Sequence, residues 1–476
     1  MEMHEYSDYD GLGLAELVAK KAVTPSELVE AAIERIERHN PTLNAVVYKG
    51  YDDARARAKG DLADGPFRGV PFLIKDLGMP VAGWPRTSGS KFARGIIDAD
   101  DGGLTRRYRE SGVVPIGKTN TPEYGITGTT ESAELGPCRN PWNPRHIAGG
   151  SSGGSASAVA AGIVPMAHAS DGLGSIRIPA ACCGLVGLKV NRDRNPNLPD
   201  GFDYAMGNVV DHVVTRTVRD SAAMLDATGY AEPNSPYPQP AKDRPYVEEI
   251  TRSPGKLRIA WSWETPSGRP IDPEIQAALE RTAALLKGLG HEVVEKGLGI
   301  DYRALFAARG PSAAANFAAG MARLIDQVGR EPEPDELEPL TWSILKAGRR
   351  QTGPDVMRSM QEIRMLNRKT LAFFDDIDVY LTPVLGTPVP EIGFIDPVNL
   401  EPKEVNRRQG RTYPYTPPMN FSGQPSLSLP LEVDAKGLPI GMMFTSRFAD
   451  EATLFRLAAQ LEKEAPWKER RPQVWG

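Results

Sequence analysis

Cysteine is scarce. The 476 residues contain three, Cys138, Cys182 and Cys183. An odd count with an adjacent pair makes a poor disulfide framework and points to a reducing, cytoplasmic setting. Neither H-E-x-x-H nor paired CxxC spacing occurs, so no metal site is expected, and Cys182 and Cys183 read as packing residues. No stretch approaches about 18 uninterrupted apolar residues, so no membrane helix is expected. The N-terminal MEMHEYSDYDGLG lacks the apolar run of a secretory signal. Charge of one sign is not in excess either: 56 Lys and Arg face 61 Asp and Glu, a net −5. No basic block stands out, so nucleic-acid binding through phosphates has no support. The phosphate-loop pattern G-x-x-x-x-G-K-[ST] is missing, and no G-x-G-x-x-G follows a clear strand.

What is present is an ordinary globular composition, 40% hydrophobic and 25% charged, with length ample for a large core. Thr24-Pro25-Ser26-Glu27 reads as a helix start with a capping box, and Asn40-Pro41 as its end. GVPFLIKDL (69–77) and VVPIGKTN (113–120) read as buried strands. GGSSGGS (149–155) is a Gly/Ser loop, followed by a small-residue helix over 155–162 and a strand over 163–169. SDGLGS (170–175) is a second glycine turn, IRIPAACCG a short helix and LVGLKV (185–190) another strand. Residues 231–255 are a Pro-rich connection, 256–263 a strand, 273–291 an amphipathic helix and 302–375 mainly helical. DVYLTPVL (378–385), PSLSLPLEV (425–433) and LPIGMMF (438–444) read as strands, the last two joined by a hairpin at Asp434–Gly437. A final helix fits 451–463. This rhythm predicts one large α/β domain over 1–476, with a mixed, mostly parallel twisted sheet covered by helices on both faces. Within it, 60–230 forms the catalytic core, 231–375 a linker and helical insertion, and 376–476 returns to the sheet.

Lys75 ends an apolar run. Alone, such a lysine more often snorkels to solvent than stays buried. The two glycine loops change its context. Glycines permit close backbone approach, and a turn such as SDGLGS can aim successive N–H groups at one anion or oxyanion. Amide cleavage requires a nucleophile, a base to take its proton and donors for the oxyanion, and a lysine pushed towards its neutral form by burial can serve a serine as that base.

The segment 149–193 closely resembles the signature region of the amidase signature family. GVPFLIKDL resembles that family's lysine motif, and GKTNTPEYG (117–125), RNPWNP (139–144) and NFSGQPSLSLP (420–430) fit in the same order. The resemblance runs from about residue 12 to about 472. It implies a Ser-Ser-Lys triad: Ser175 as nucleophile, Ser151 as the bridging serine after a cis peptide, and Lys75 as base. It also implies oxyanion donation by the N–H groups of Gly172, Leu173, Gly174 and Ser175. Ser152 would orient Lys75, and Asp171 and Arg177 would brace the turn; their alternative is an ordinary surface pair. One departure stands out. The family commonly has Gly-Gly before the nucleophile, whereas this chain has Leu173-Gly174. Leucine does not readily take positive φ, so the donors require Leu173 at negative φ.

The implied activity is hydrolysis of a small-molecule amide, anilide or carbamate through an acyl-enzyme. Esters and urethanes pass through the same oxyanion. No cofactor, nucleic acid or membrane enters, and a homodimer is left open. Aromatic candidates for the pocket are Phe306, Phe317, Trp342, Tyr413 and the segment 201–207. The stretch 340–353 is similar to the subgroup containing cyclic nylon-oligomer hydrolases.

Other readings compete. Gly149 to Gly153 also fits G-x-S-x-G, a nucleophile elbow that would need a histidine such as His168, His212 or His291. A glycine-loop phosphate or nucleotide-binding module is the non-enzymatic alternative. A glutamine-hydrolysing amidotransferase subunit is the alternative within the family, and would need partner subunits.

Overall fold

The structure is a computed structural model of the chain and describes residues 3–196, 204–230 and 239–476. Its frame is one eleven-stranded sheet. Numbered along the chain, the strands of this sheet are β1 (Val46–Lys49), β2 (Pro71–Lys75), β3 (Val114–Thr119), β4 (Met166–Asp171), β5 (Val186–Lys189) and β6 (Val210–Thr215). There follow β7 (Arg258–Trp261), β8 (Glu292–Glu295), β9 (Val379–Pro383), β10 (Ser426–Val433) and β11 (Pro439–Ser446). Across the sheet the order is β1-β3-β2-β4-β6-β5-β10-β11-β9-β7-β8. Parallel ladders join β2 to β3 and β4, and β7 to β8 and β9. The remaining neighbours pair antiparallel. The expected α/β fold with a mixed sheet is present, with its parallel ladders in two blocks on either side of an antiparallel centre.

Every residue of β2, β3, β4, β6, β9 and β11 is buried. Neither face of these strands meets water, so helices and connections cover both sides. The sheet gathers distant pieces of chain: the β10–β11 hairpin lies beside β5, with Leu427 opposite Leu188. A single apolar cluster runs through most of the molecule, from Tyr6 to Trp467.

Some boundaries differ from expectation. Thr24 and Glu27 do form the capping box, but Pro41 does not end the helix, which runs Pro25–Leu43. Asn40 stays helical, and its side chain accepts the N–H groups of Ala45 and Val46. The stop therefore falls at Asn44, in the left-handed region at φ 49°. Strand β4 begins three residues later than predicted. Ile163 N–H still closes on Ala158 O, prolonging the helical turn. Consequently Ser170 and Asp171 sit on the strand end rather than in the turn. Strands β1, β6 and β8 were not foreseen. The first and last are four residues long and partly exposed, too short to show an alternation. Strand β6 carries Asp211 and His212, polar residues that break its apolar run.

The helical stretch is three helices, Tyr302–Val328, Pro339–Gly348 and Gly353–Ala372. A carboxylate pair ties them to the core. Glu338 N–H donates to Glu123 Oε2 (2.8 Å), and Ala133 N–H donates to Glu338 Oε1 (2.9 Å).

Leu188 is fully buried at the sheet's centre. Leu188→Ala is predicted to cost about 2–5 kcal/mol, the range for deleting a large buried side chain. A urea-unfolding midpoint that matched the unaltered chain would contradict this placement.

Candidate active site

Strand β2 lies between β3 and β4 and delivers Lys75 to a point with no solvent exposure. The lysine does not snorkel. Its Nζ lies 2.7 Å from Ser151 Oγ and 2.9 Å from Ser170 Oγ. Burial pushes its pKa down to about 7, and the negative charges of Asp211 and Asp171 offset only part of that fall. The native chain thus favours the neutral amine, unlike an unfolded lysine near 10.5. Between those values the unfolded chain binds more protons, so this group's contribution to stability improves as pH rises from about 7 towards 10.5. A neutral amine next to a hydroxyl can take that hydroxyl's proton.

Ser151 follows Gly149 and Gly150, and the Gly150–Ser151 peptide is cis. A Cβ on Gly150 would press into the Thr129 backbone at 2.7 Å, so only glycine fits there. The helix Gly153–Ala160 starts directly after. Among the described residues, Ser152 makes no direct hydrogen bond to Lys75. Its Oγ donates to Ser170 O and accepts Ser170 N–H, each at 3.2 Å. It is Ser170, held in this way, that supplies the second hydroxyl against the amine.

The turn after β4 is braced from within. Asp171 and Arg177 are fully buried, so the surface-pair alternative is excluded. Arg177 donates bidentately to Asp171, from Nε to Oδ2 (2.9 Å) and from Nη2 to Oδ1 (3.0 Å). The same guanidinium donates to Thr416 O and Asn420 Oδ1. Asn420 Nδ2 in turn donates to Asp171 Oδ1. Burial would raise the Asp171 carboxyl, but the Arg177 charge and the Arg177 and Asn420 hydrogen bonds hold it well below the usual carboxylate range.

The four expected oxyanion donors separate into two kinds. Gly174 N–H is committed to Asp171 Oδ1 at 2.7 Å, so it is not free for a ligand. Among the described residues, the N–H groups of Gly172, Leu173 and Ser175 donate to no protein atom. These three residues are half-buried and face the cleft, whereas Gly174 is buried. Leu173 is not at positive φ; Gly174 takes that conformation instead, at φ 131°. A Cβ on Gly174 would overlap Thr416 and Ile178. The departure from Gly-Gly thus falls at the position that tolerates a side chain. The Leu173 side chain packs with Leu305, Ala308 and Phe421.

Ser151, Ser170 and Ser175 line one cleft of about 2600 Å³. Phe306, Phe317 and Tyr413 line it as expected, with Ala205 and Asn208. Trp342 does not; it packs with Phe92, Met321 and Leu345, and its Nε1 donates to Pro334 O. Phe202, Asp203 and the Tyr204 side chain lie outside the described residues.

The elbow reading fails on its histidines. His212 meets Ser221, and His291 meets Leu257 and Gln460. His168 Nδ1 accepts the Lys75 backbone N–H (3.2 Å), leaving Nε2–H for Asp211 Oδ1 (3.0 Å). None of the three bonds to Ser151. Reading the sequence alone overlooked Ser170, Asp211 and Asn420. Usable signals existed for Ser170 and Asn420, which stand in the segments 170–175 and 420–430, but not for Asp211.

A fold of this kind, with a buried lysine between serine hydroxyls, defines a class of hydrolases acting on amide C–N bonds. The Amidase family model matches residues 27–455, and the chain belongs to that family. A 6-aminohexanoate-cyclic-dimer hydrolase of Pseudomonas sp. (strain NK87) is 36% identical over 98% of this chain and 96% of its own length. The solved structure of a 6-aminohexanoate cyclic dimer hydrolase complexed with substrate superposes with a TM-score of 0.92 at 35% identity. That match covers 99% of this chain and 100% of the other. A bacterial aryl acylamidase of the amidase signature family gives 0.88 at 29% identity, over 97% of each chain.

Arg177→Met is predicted to leave the Asp171 carboxylate buried without its cation. Breaking such a pair costs about 3–5 kcal/mol, so a melting temperature equal to that of the unaltered chain would refute the bracing role.

Proposed function

We propose that the chain hydrolyses small, largely apolar amides and anilides, and by the same route carbamates and esters, through Lys75, Ser151 and Ser175. The observation that carries this is the 2.7 Å contact between Lys75 Nζ and Ser151 Oγ in a water-excluded site that shares its cleft with Ser175. Neutral Lys75 takes the Ser151 proton while Ser151 takes that of Ser175, whose Oγ attacks the substrate carbonyl. The free N–H groups of Gly172, Leu173 and Ser175 receive the oxyanion as it forms. Ser151 returns a proton to the leaving nitrogen, since an amine departs poorly as an anion. Water then enters and the relay runs again, releasing the acid from Ser175. Ser170 and Ser152 position the amine.

The relatives named above act, by their names, on a cyclic dimer of 6-aminohexanoate and on aryl acylamides. Their similarity supports apolar, non-peptide substrates, as do Phe306 and Phe317 in the cleft. The three cysteines are buried and unpaired, which supports a cytoplasmic setting.

Ser175→Ala is expected to abolish turnover of an anilide panel and to remove the acyl adduct seen by mass spectrometry. Ser151→Ala and Lys75→Ala should each lower kcat by about 10²–10⁴-fold, the usual worth of positioned acid–base groups. Full activity in Lys75→Ala at pH 7 would end the proposal.

The base must be neutral to act, so kcat/KM should climb as pH rises through about 7, where Lys75 loses its proton. A profile flat across that region would mean that another group sets the rate.

A further inference from the structure

Arg309 stands on the wall of the cleft, within the helix Tyr302–Val328. Its guanidinium carbon lies 5.4 Å from the centre of the Phe421 ring. Its Nε is buried and has no hydrogen-bond partner. Among the described residues its side chain makes no ion pair. Arg309 as a whole is half-buried; Arg177, fully buried beside the same turn, is in the opposite state, with Asp171, Thr416 and Asn420 satisfying it. Burial alone lowers Arg309 to about 10, with no acidic neighbour pulling the other way. It therefore stays charged at neutral pH, and a desolvated cation without an anion is unfavourable.

Its position is tied to the reacting end of the cleft. The neighbouring Ala308 packs in one cluster with Leu173 and Phe421. Leu173 lies two residues before Ser175, and Asn420, next to Phe421, bonds Asp171. The charge of the cleft points the same way. Among the described residues, eight Arg or Lys and three Asp or Glu line it, although the whole chain carries −5. A cleft of that sign draws anions from solution. Some of these cations are already neutralised, Arg86 by Asp98 and Arg407 by Glu404. Arg309 is not.

We propose that Arg309 is a substrate-binding residue that pairs with a carboxylate at the non-reacting end of the substrate. The planar fork of a guanidinium matches a carboxylate bidentately, and the Phe421 ring steadies its plane. The substrate class is then a small amide or anilide bearing a free carboxylate, such as the half-amide of a dicarboxylic acid, with an apolar spacer along Phe306. This deepens the reading of the chain as a serine amide hydrolase and rests on it.

The test uses two anilides that share a reacting amide, one whose acyl chain ends in carboxylate and one ending in methyl. The unaltered chain should prefer the carboxylate, and Arg309→Gln should erase that preference. The KM of the carboxylated member should rise at least about tenfold more than that of its neutral partner, the worth of a charged hydrogen-bonded contact. Arg309→Lys should keep part of the preference, and Arg309→Met, which can still stack on Phe421, should keep none. Equal losses on both anilides, or no preference in the unaltered chain, would overturn the proposal. A second readout needs no turnover. In the Ser175→Ala chain, calorimetry should detect binding of phenylacetate over 2-phenylethanol, and adding Arg309→Gln should remove it. Phenylacetate bound equally with and without Arg309 also overturns the proposal. Selective binding in a chain that cleaves neither anilide would instead fault the hydrolase reading and leave the anion site standing.

Discussion

A desolvated amine at the end of β2 sets the terms for the rest of the site. Moving an ammonium out of water costs several kcal/mol in a real protein, and Lys75 has no exposure at all. The group answers by favouring its neutral form, and it is held by two serine hydroxyls rather than by a carboxylate in direct contact. Had an acid been placed against it, the ion pair would have kept the amine charged and useless for accepting a proton. Asp211 and Asp171 are near enough to be felt but not to bond it.

The opposite choice is made a few ångströms along the same strand ladder. Asp171 is as deeply buried as Lys75, yet Arg177 and Asn420 keep it ionised. One buried base is shifted towards its neutral form and one buried acid is held charged, and the two tasks differ accordingly. The charged acid organises backbone: it consumes Gly174 N–H and Ile176 N–H, which leaves the half-buried N–H groups of the turn facing the cleft. Leu173 then joins this rigid turn to the helical segment over it, through the cluster with Leu305, Ala308 and Phe421. The geometry of the turn and that of the cleft wall are thereby parts of one packing arrangement.

Much of this was legible in the linear sequence. Buried strands announce themselves as apolar runs, so β2, β3, β5, β9 and the β10–β11 hairpin were found. Glycine loops with serines at fixed spacing carried the family resemblance, and with it Lys75, Ser151 and Ser175. The misses have physical causes. Edge strands β1 and β8 are too short to show periodicity. In β6, Asp211 and His212 look like loop residues because their burial depends on partners from elsewhere, His168 for one and Ser221 for the other. The resemblance offered Ser152 as the lysine's support, and Ser170, which links the two, went unseen because its place on the end of β4 depends on where that strand starts.

Residue order alone therefore determined the family, the α/β class and the set of chemically capable side chains, because those depend on local pattern and motif spacing. Tertiary structure decided which of them meet and in what charge state. Desolvation and hydrogen-bond partnership are properties of surroundings assembled from strands far apart in the chain. That is why the lowered pKa of Lys75, the commitment of Gly174 to Asp171 and the unpartnered Nε of Arg309 became visible only in three dimensions.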